Sequence, residues 1–127
     1  MTKKIVKTEK APLPIGPYNQ AVVINNLVYT SGQIAIDMKT NNLCPGGITE
    51  QTRSVLTHLK TVLEGSGSSL DRVIKATVFL KNMNDFAAMN AVYTEFFELS
   101  KAPARSTIEV ARLPKDALVE IEAVATL

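Results

Sequence analysis

The sequence predicts an α+β domain: a mixed six-stranded sheet covered on one face by two helices. Three observations carry that expectation. Two segments, near residues 49–64 and 85–99, repeat apolar side chains every three or four residues, the period of a helix with one buried stripe. β-branched and apolar runs precede, separate and follow these segments, as strands do. Each helical segment lies between two strands, which suits parallel crossovers, while both ends of the chain suit hairpins. The predicted order is β-β-β-α-β-α-β-β.

The chain opens with bunched lysines, Lys3, Lys4, Lys7 and Lys10, which read as a frayed, solvated terminus. "APLPIGPYNQ", Ala11 to Gln20, is rich in Pro and Gly and reads as an extended loop. In "AVVINNLVYTSGQIAI", two β-rich runs flank Asn25-Asn26, and Asn tolerates the positive φ of a tight hairpin turn. "KTNNLCPGG" is another loop. The first helix starts with Thr49 as its N-cap. Val55, Leu56, Leu59, Val62 and Leu63 form its apolar stripe; Glu50, Arg53, Lys60 and Glu64 take the other side. "GSGSS" stops it. Arg72 to Leu80 is apolar and β-branched, hence a strand. The second helix spans about Asp85 to Leu99, with Asn84 or Asp85 as its cap. Its stripe is Phe86, Met89, Val92, Tyr93, Phe96 and Phe97. Strands at about Ala104–Ala111 and Leu118–Thr126, turned by "RLPKDA", close the chain. Helices cover one sheet face only, so the other calls for burial elsewhere, as by oligomerisation.

Composition bounds the function. The 127 residues suit one domain over 1–127, with 46% apolar and 20% charged residues. A formal net charge of +2 disfavours a nucleic-acid binder, which would show a clustered basic face. The single cysteine, Cys44, permits no intrachain disulfide and has no obvious activating partner. No signal peptide and no membrane-length apolar run is present, so a soluble cytoplasmic protein is expected. His58 is the one histidine, at the boundary between helix faces, so a multi-histidine metal site is excluded. No CxxC or HExxH spacing points to a metal. "EGSGSSLD" lacks the lysine of a phosphate loop and follows a helix rather than a strand.

Alternation in the last two strands isolates the chemistry. Ser106, Ile108 and Val110 share one face of the first; Arg105, Thr107 and Glu109 share the other. Val119, Ile121, Ala123 and Ala125 make the apolar face of the second; Glu120 and Glu122 lie opposite. With helices on the apolar face, Arg105, Thr107, Glu109, Glu120 and Glu122 are expected together on the open one. Two readings of that cluster stay open. It is either a half-solvated face with structural ion pairs or a small polar pocket. In a pocket, arginine's planar fork would grip a carboxylate and a glutamate would handle a water. In "GPYNQ" the loop could present Tyr18. In "YTSGQ" Ser31-Gly32 ends a strand where glycine permits close approach.

These stretches also resemble a known family. "IGPYNQA", "YTSGQI", "VIKATVFLKNMNDFAAMNAVYTEFF" and "PARSTIEVARLPKDALVEIEAVA" together are similar to the RidA/YjgF family of reactive-intermediate deaminases, over nearly the whole chain. The resemblance implies a chorismate-mutase-like fold and a homotrimer with sheets inward, helices outside and a cleft at each subunit interface. It implies cofactor-free, metal-free hydrolysis of 2-imino acids, such as 2-iminobutanoate and 2-iminopropanoate, to 2-oxo acids and ammonia. Such imines escape from PLP-dependent dehydratases, including that of isoleucine biosynthesis. On this likeness Arg105 clamps the substrate carboxylate and Glu120 positions water and shuttles protons. Tyr18, Ser31, Gly32 and Asn90 shape the pocket, Asn90 indirectly or across the interface. One departure stands out: Thr107 occupies a position where many bacterial members carry Cys. This puts a thiol role in doubt while leaving a hydroxyl to line the pocket. The alternatives are a regulatory module that binds a small carboxylate and, less favoured, an RNA-directed translation inhibitor.

Overall fold

The computed structural model describes residues 2–127. In chain order the elements are β1 (Lys4–Val6), β2 (Ala21–Ile24), β3 (Leu27–Thr30), β4 (Ile36–Asp37), β5 (Asn42–Leu43), α1 (Ile48–Gly65), β6 (Val73–Leu80), α2 (Phe86–Phe96), β7 (Ala104–Glu109) and β8 (Val119–Thr126). Six strands form one sheet in the order β1-β2-β3-β8-β6-β7; β4 and β5 form a separate two-stranded ribbon. Only β6 and β7 pair in parallel. This is the α+β architecture expected from the periodicities.

The apolar stripe of α1 is the centre of the core: Val55, Leu56, Leu59, Val62 and Leu63 are all fully buried. Each such side chain contributes roughly 1.5–3 kcal/mol on leaving water. They pack on Val28, Ala76, Val78, Ile121, Ala123 and Ala125, whose side chains point to one face of the sheet. Met89, Val92, Tyr93 and Phe97 of the α2 region complete the layer. At the first hairpin Asn25 and Asn26 have φ of 52° and 61°, the two left-handed residues that let strands of natural twist meet over a two-residue loop.

Several expectations are corrected. The lysine-rich start is not frayed: Lys4–Val6 is an edge strand paired with β2, and Val6 is buried. The loop "KTNNLCPGG" contains β5, turned back onto β4 through Asn41 at φ 63°. Thr49 is not the cap of α1. The helix starts at Ile48, because the Glu50 carboxylate reaches back to accept the Gly47 N–H at 2.8 Å. Asp85 holds the N-cap position of α2, as expected, but its side chain makes no capping hydrogen bond. Instead Asn82 accepts the Asn84 N–H at 2.9 Å and starts a short 3₁₀ turn that leads into the helix. α2 stops at Phe96, before the expected Leu99, as Phe97 turns extended and stacks its ring on Tyr93, 4.6 Å between centroids.

The last two strands do not pair with each other. β8 inserts between β3 and β6, and β7 is the far edge. β8 has four buried apolar residues on one face, Val119, Ile121, Ala123 and Ala125, and so belongs in the sheet's middle. β7 has no fully buried residue, and Ile108 is 44% exposed. No helix among the described residues is long and apolar enough to cross a membrane.

Candidate active site

The sheet opens where β3 leaves β8. Between the Tyr29–Val124 pair and the Gln33–Ile121 bridge, Thr30, Ser31 and Gly32 stand against only Glu122 and Ala123. The extra residue is a bulge, a device that re-aims side chains. Thr30 fills the broken ladder by accepting the Ala123 N–H with its hydroxyl at 3.0 Å. Ser31 donates its hydroxyl to the Asn19 carbonyl and its N–H to the Gln20 carbonyl, so the bulge and the Pro-rich loop hold each other. Gln20, 98% buried by its 2% exposure, ties that loop down: its amide donates to the Thr8 and Pro12 carbonyls, both at 2.9 Å.

Over the bulge lies Glu120. A β-carbon on Gly32 would sit 2.7 Å from the Glu120 carboxyl carbon, a contact that no side chain could make without displacing the carboxylate. Glycine leaves room for the carboxylate in this position; a larger residue would push the Glu120 side chain aside. Glu120 is half-buried, and burial holds its carboxyl above the ordinary glutamate value; the neighbouring Glu122 charge adds to the effect. It lines a cavity of about 460 Å³ together with Tyr18, Ser31 and Gly32. The remaining wall is mostly apolar, from Leu13, Ile15, Ile34, Ile36 and Pro114. The sequence reading missed these residues and Gln20. Their loops are far apart in the chain, and no spacing marks them as neighbours.

Arg105, Thr107 and Asn90 are elsewhere. In the parallel ladder Arg105 pairs with Ala76 and Thr107 with Val78, and both partners are buried on the helix-covered face. Glu120 pairs with Phe79 on the opposite face. The expected common face of Arg105, Thr107, Glu109, Glu120 and Glu122 is therefore wrong. Its premise was that the more apolar side of β7, with Ile108, turns toward the helices. At an edge strand α2 provides what Arg105 needs instead. The Arg105 Nη1 donates to Asn90 Oδ1 at 2.8 Å, and the guanidinium carbon stands 4.5 Å from the Tyr93 ring centroid and 5.6 Å from that of Phe86. The residue as a whole is only partly buried. Among the described residues no carboxylate forms an ion pair with Arg105, so the ion-pair reading of the cluster loses its partner. The Thr107 hydroxyl is buried without a hydrogen-bond partner and does not line the cavity.

His58 and Cys44 lie outside this cavity. The His58 Nε2–H donates to the Ile36 carbonyl at 2.7 Å, and burial lowers its pKa, so it tethers α1 to β4 as a neutral ring. No cluster of metal-ligating residues occurs among the described residues.

A family model described as Endoribonuclease L-PSP matches residues 8–127. The chain belongs to the RidA/YjgF (RutC) family. A RutC family protein of Pyrococcus abyssi is 53% identical, over 98% of both chains. A 2-iminobutanoate/2-iminopropanoate deaminase of the mite Dermatophagoides farinae is 47% identical, over 98% of this chain and 97% of its own. The structure of E. coli TdcF with bound serine superposes with a TM-score of 0.90 at 44% identity, over 98% of each chain. The family's chorismate-mutase-like fold is thus the fold of this chain.

Proposed function

We propose that the protein hydrolyses small 2-imino acids to 2-oxo acids and ammonia, in clefts shared between copies of the chain. The observation that carries the reading is the division of the charged groups. Glu120 lines a cavity on the open sheet face, and Arg105, without a protein carboxylate, waits on the other face at the β7 edge. One small substrate cannot touch both within a single chain. A second copy that sets its β7 edge against this cavity brings an arginine to the glutamate. The open face also leaves Ile5, Tyr29 and Ile108 uncovered, and three copies packed sheet-inward would cover them. The deaminase from Dermatophagoides and the amino-acid ligand of TdcF support the same substrate class, an α-carboxylate beside a nitrogen-bearing carbon.

The chemistry needs few groups. Arg105 grips the carboxylate with two parallel hydrogen bonds and so fixes the C=N carbon. The Glu120 carboxylate takes a proton from water as its oxygen bonds to that carbon, giving a carbinolamine. With the imine bound in its protonated form, Glu120 then returns that proton to the carbinolamine nitrogen and takes up the hydroxyl proton as the C–N bond breaks, so that ammonia leaves and the 2-oxo acid remains. A carboxyl held above its ordinary pKa by burial is a stronger base for this exchange. Ser31, whose hydroxyl proton is committed to Asn19, offers lone pairs to a substrate N–H.

The test generates the imine with an amino-acid oxidase and traps it with semicarbazide. Added wild-type protein is expected to speed 2-oxo acid formation and suppress the semicarbazone. Glu120→Gln is expected to lower turnover by about a hundredfold or more. Arg105→Ala is expected to raise KM by about tenfold to a hundredfold. Wild-type protein without effect on trapping, or an Arg105→Ala variant with unchanged kinetics, would reject the reading.

A further inference from the structure

We infer that Tyr93 is a positioning residue for Arg105: its ring face cradles the guanidinium so that the guanidinium's free N–H edge is presented to a ligand carboxylate. The inference rests on the proposed carboxylate clamp and adds the part of α2 that holds it.

Arginine is a long side chain with about 2 kcal/mol of rotamer entropy to lose on being fixed. A clamp that must meet a ligand from another molecule cannot be held by a protein carboxylate, because that carboxylate would occupy the fork. The contacts of Arg105 avoid this conflict. Its guanidinium carbon lies 4.5 Å from the Tyr93 ring centroid, and Asn90 takes one hydrogen of Nη1 at 2.8 Å. A ring face attracts the cation through its quadrupole without consuming any in-plane N–H. Of arginine's five donors, Asn90 engages one, which leaves an edge free for two parallel bonds to a carboxylate.

The cradle is itself rigid. Tyr93 is only 6% exposed and stacks on Phe97 with 28° between ring planes. Its hydroxyl is buried and has no hydrogen-bond partner. The ring face is the contact that holds the cation; the hydroxyl, which Arg105 also approaches, makes no well-formed hydrogen bond to it. Burial raises the phenol's pKa, against the opposing pull of the Arg105 charge, so the ring stays neutral and its face remains available to a cation.

Two substitutions separate ring from hydroxyl. Tyr93→Phe keeps the face and is expected to bind 2-oxobutanoate with affinity within about twofold of wild type. Tyr93→Leu removes the face and is expected to weaken 2-oxobutanoate binding, and to raise KM for the imine, by about tenfold, with kcat largely kept. Side-chain ¹H–¹⁵N spectra supply a readout that does not need the leucine variant to fold. The Arg105 Nε–H resonance is expected upfield, shifted by the ring current, in both wild type and Tyr93→Phe. An unshifted resonance overturns the inference, as does Tyr93→Leu binding at wild-type affinity, or Tyr93→Phe impaired as much as Tyr93→Leu. Wild-type protein that binds no 2-oxo acid and hydrolyses no imine would instead overturn the functional reading; the cradle then stands or falls on the spectrum.

Discussion

Glu120 sits on a strand whose inward residues are all apolar, and its own environment is set by one neighbour without a side chain. Gly32 lets the carboxylate lie against the bulge, half out of water. Burial disfavours the ionised form, so the folded protein keeps this proton to higher pH than the unfolded chain does. From the ordinary glutamate value of 4.5 up to the raised folded value, stability accordingly falls as pH rises, and above that window the loss is complete. Glu120→Gln cannot ionise. At pH 7 it is expected to melt at or above wild type, with the difference narrowing toward pH 4, while turnover is lost. Thermal melts at both pH values check this, and a variant that melts below wild type at pH 7 would contradict it. In sequence, Ser31-Gly32 was readable as a point of close approach. Which group approaches was not, because Glu120 is distant in the chain and only the β3–β8 pairing brings it there.

At the scale of elements, the local signals were dependable where chemistry is local. The α1 stripe, the stop at "GSGSS" and the Asn25-Asn26 turn all follow from nearest-neighbour physics. The turn holds β2 against β3, and through β3 it carries Ser31 and Gly32 to the cavity. Left-handed backbone costs an ordinary L-residue roughly 1–2 kcal/mol, and asparagine tolerates it better. Asn26→Ala is expected to lower stability by about 1 kcal/mol, seen as a reduced urea midpoint with an unchanged slope. An unchanged midpoint would mean that the turn is not under this constraint. Less local features were illegible. The three residues of β1 are too few for a period, and the 3₁₀ turn that Asn82 caps ahead of α2 carries no periodic signal of its own. The hairpin expected at the end of the chain failed for a related reason: a turn between two strands does not oblige them to pair when a better-matched gap is open in the sheet.

For the whole molecule, the separation of Arg105 from Glu120 has a direct consequence for mixtures. If each active cleft takes its arginine from one copy and its glutamate from the next, two variants that are each impaired at low substrate concentration can restore each other. Coexpressed Arg105→Ala and Glu120→Gln chains are expected to recover about a quarter of wild-type activity on random assembly, because that share of clefts draws both intact residues. Activity no greater than the sum of the separate variants would place both residues in the service of one chain and refute the shared cleft.

Side-chain period and turn chemistry determined the α+β class, both helices, the first hairpin and the two-faced character of each strand. They also marked Arg105 and Glu120 as charges out of keeping with their surroundings. Tertiary structure alone decided the strand order, and with it the face to which each charge turns. The reason is physical. Alternation specifies that neighbouring residues point to opposite sides, but which side is the core depends on what each strand meets. β8 met α1 and β6 in the middle of the sheet; β7 met α2 at the edge, where an aromatic ring and an amide could accommodate an arginine.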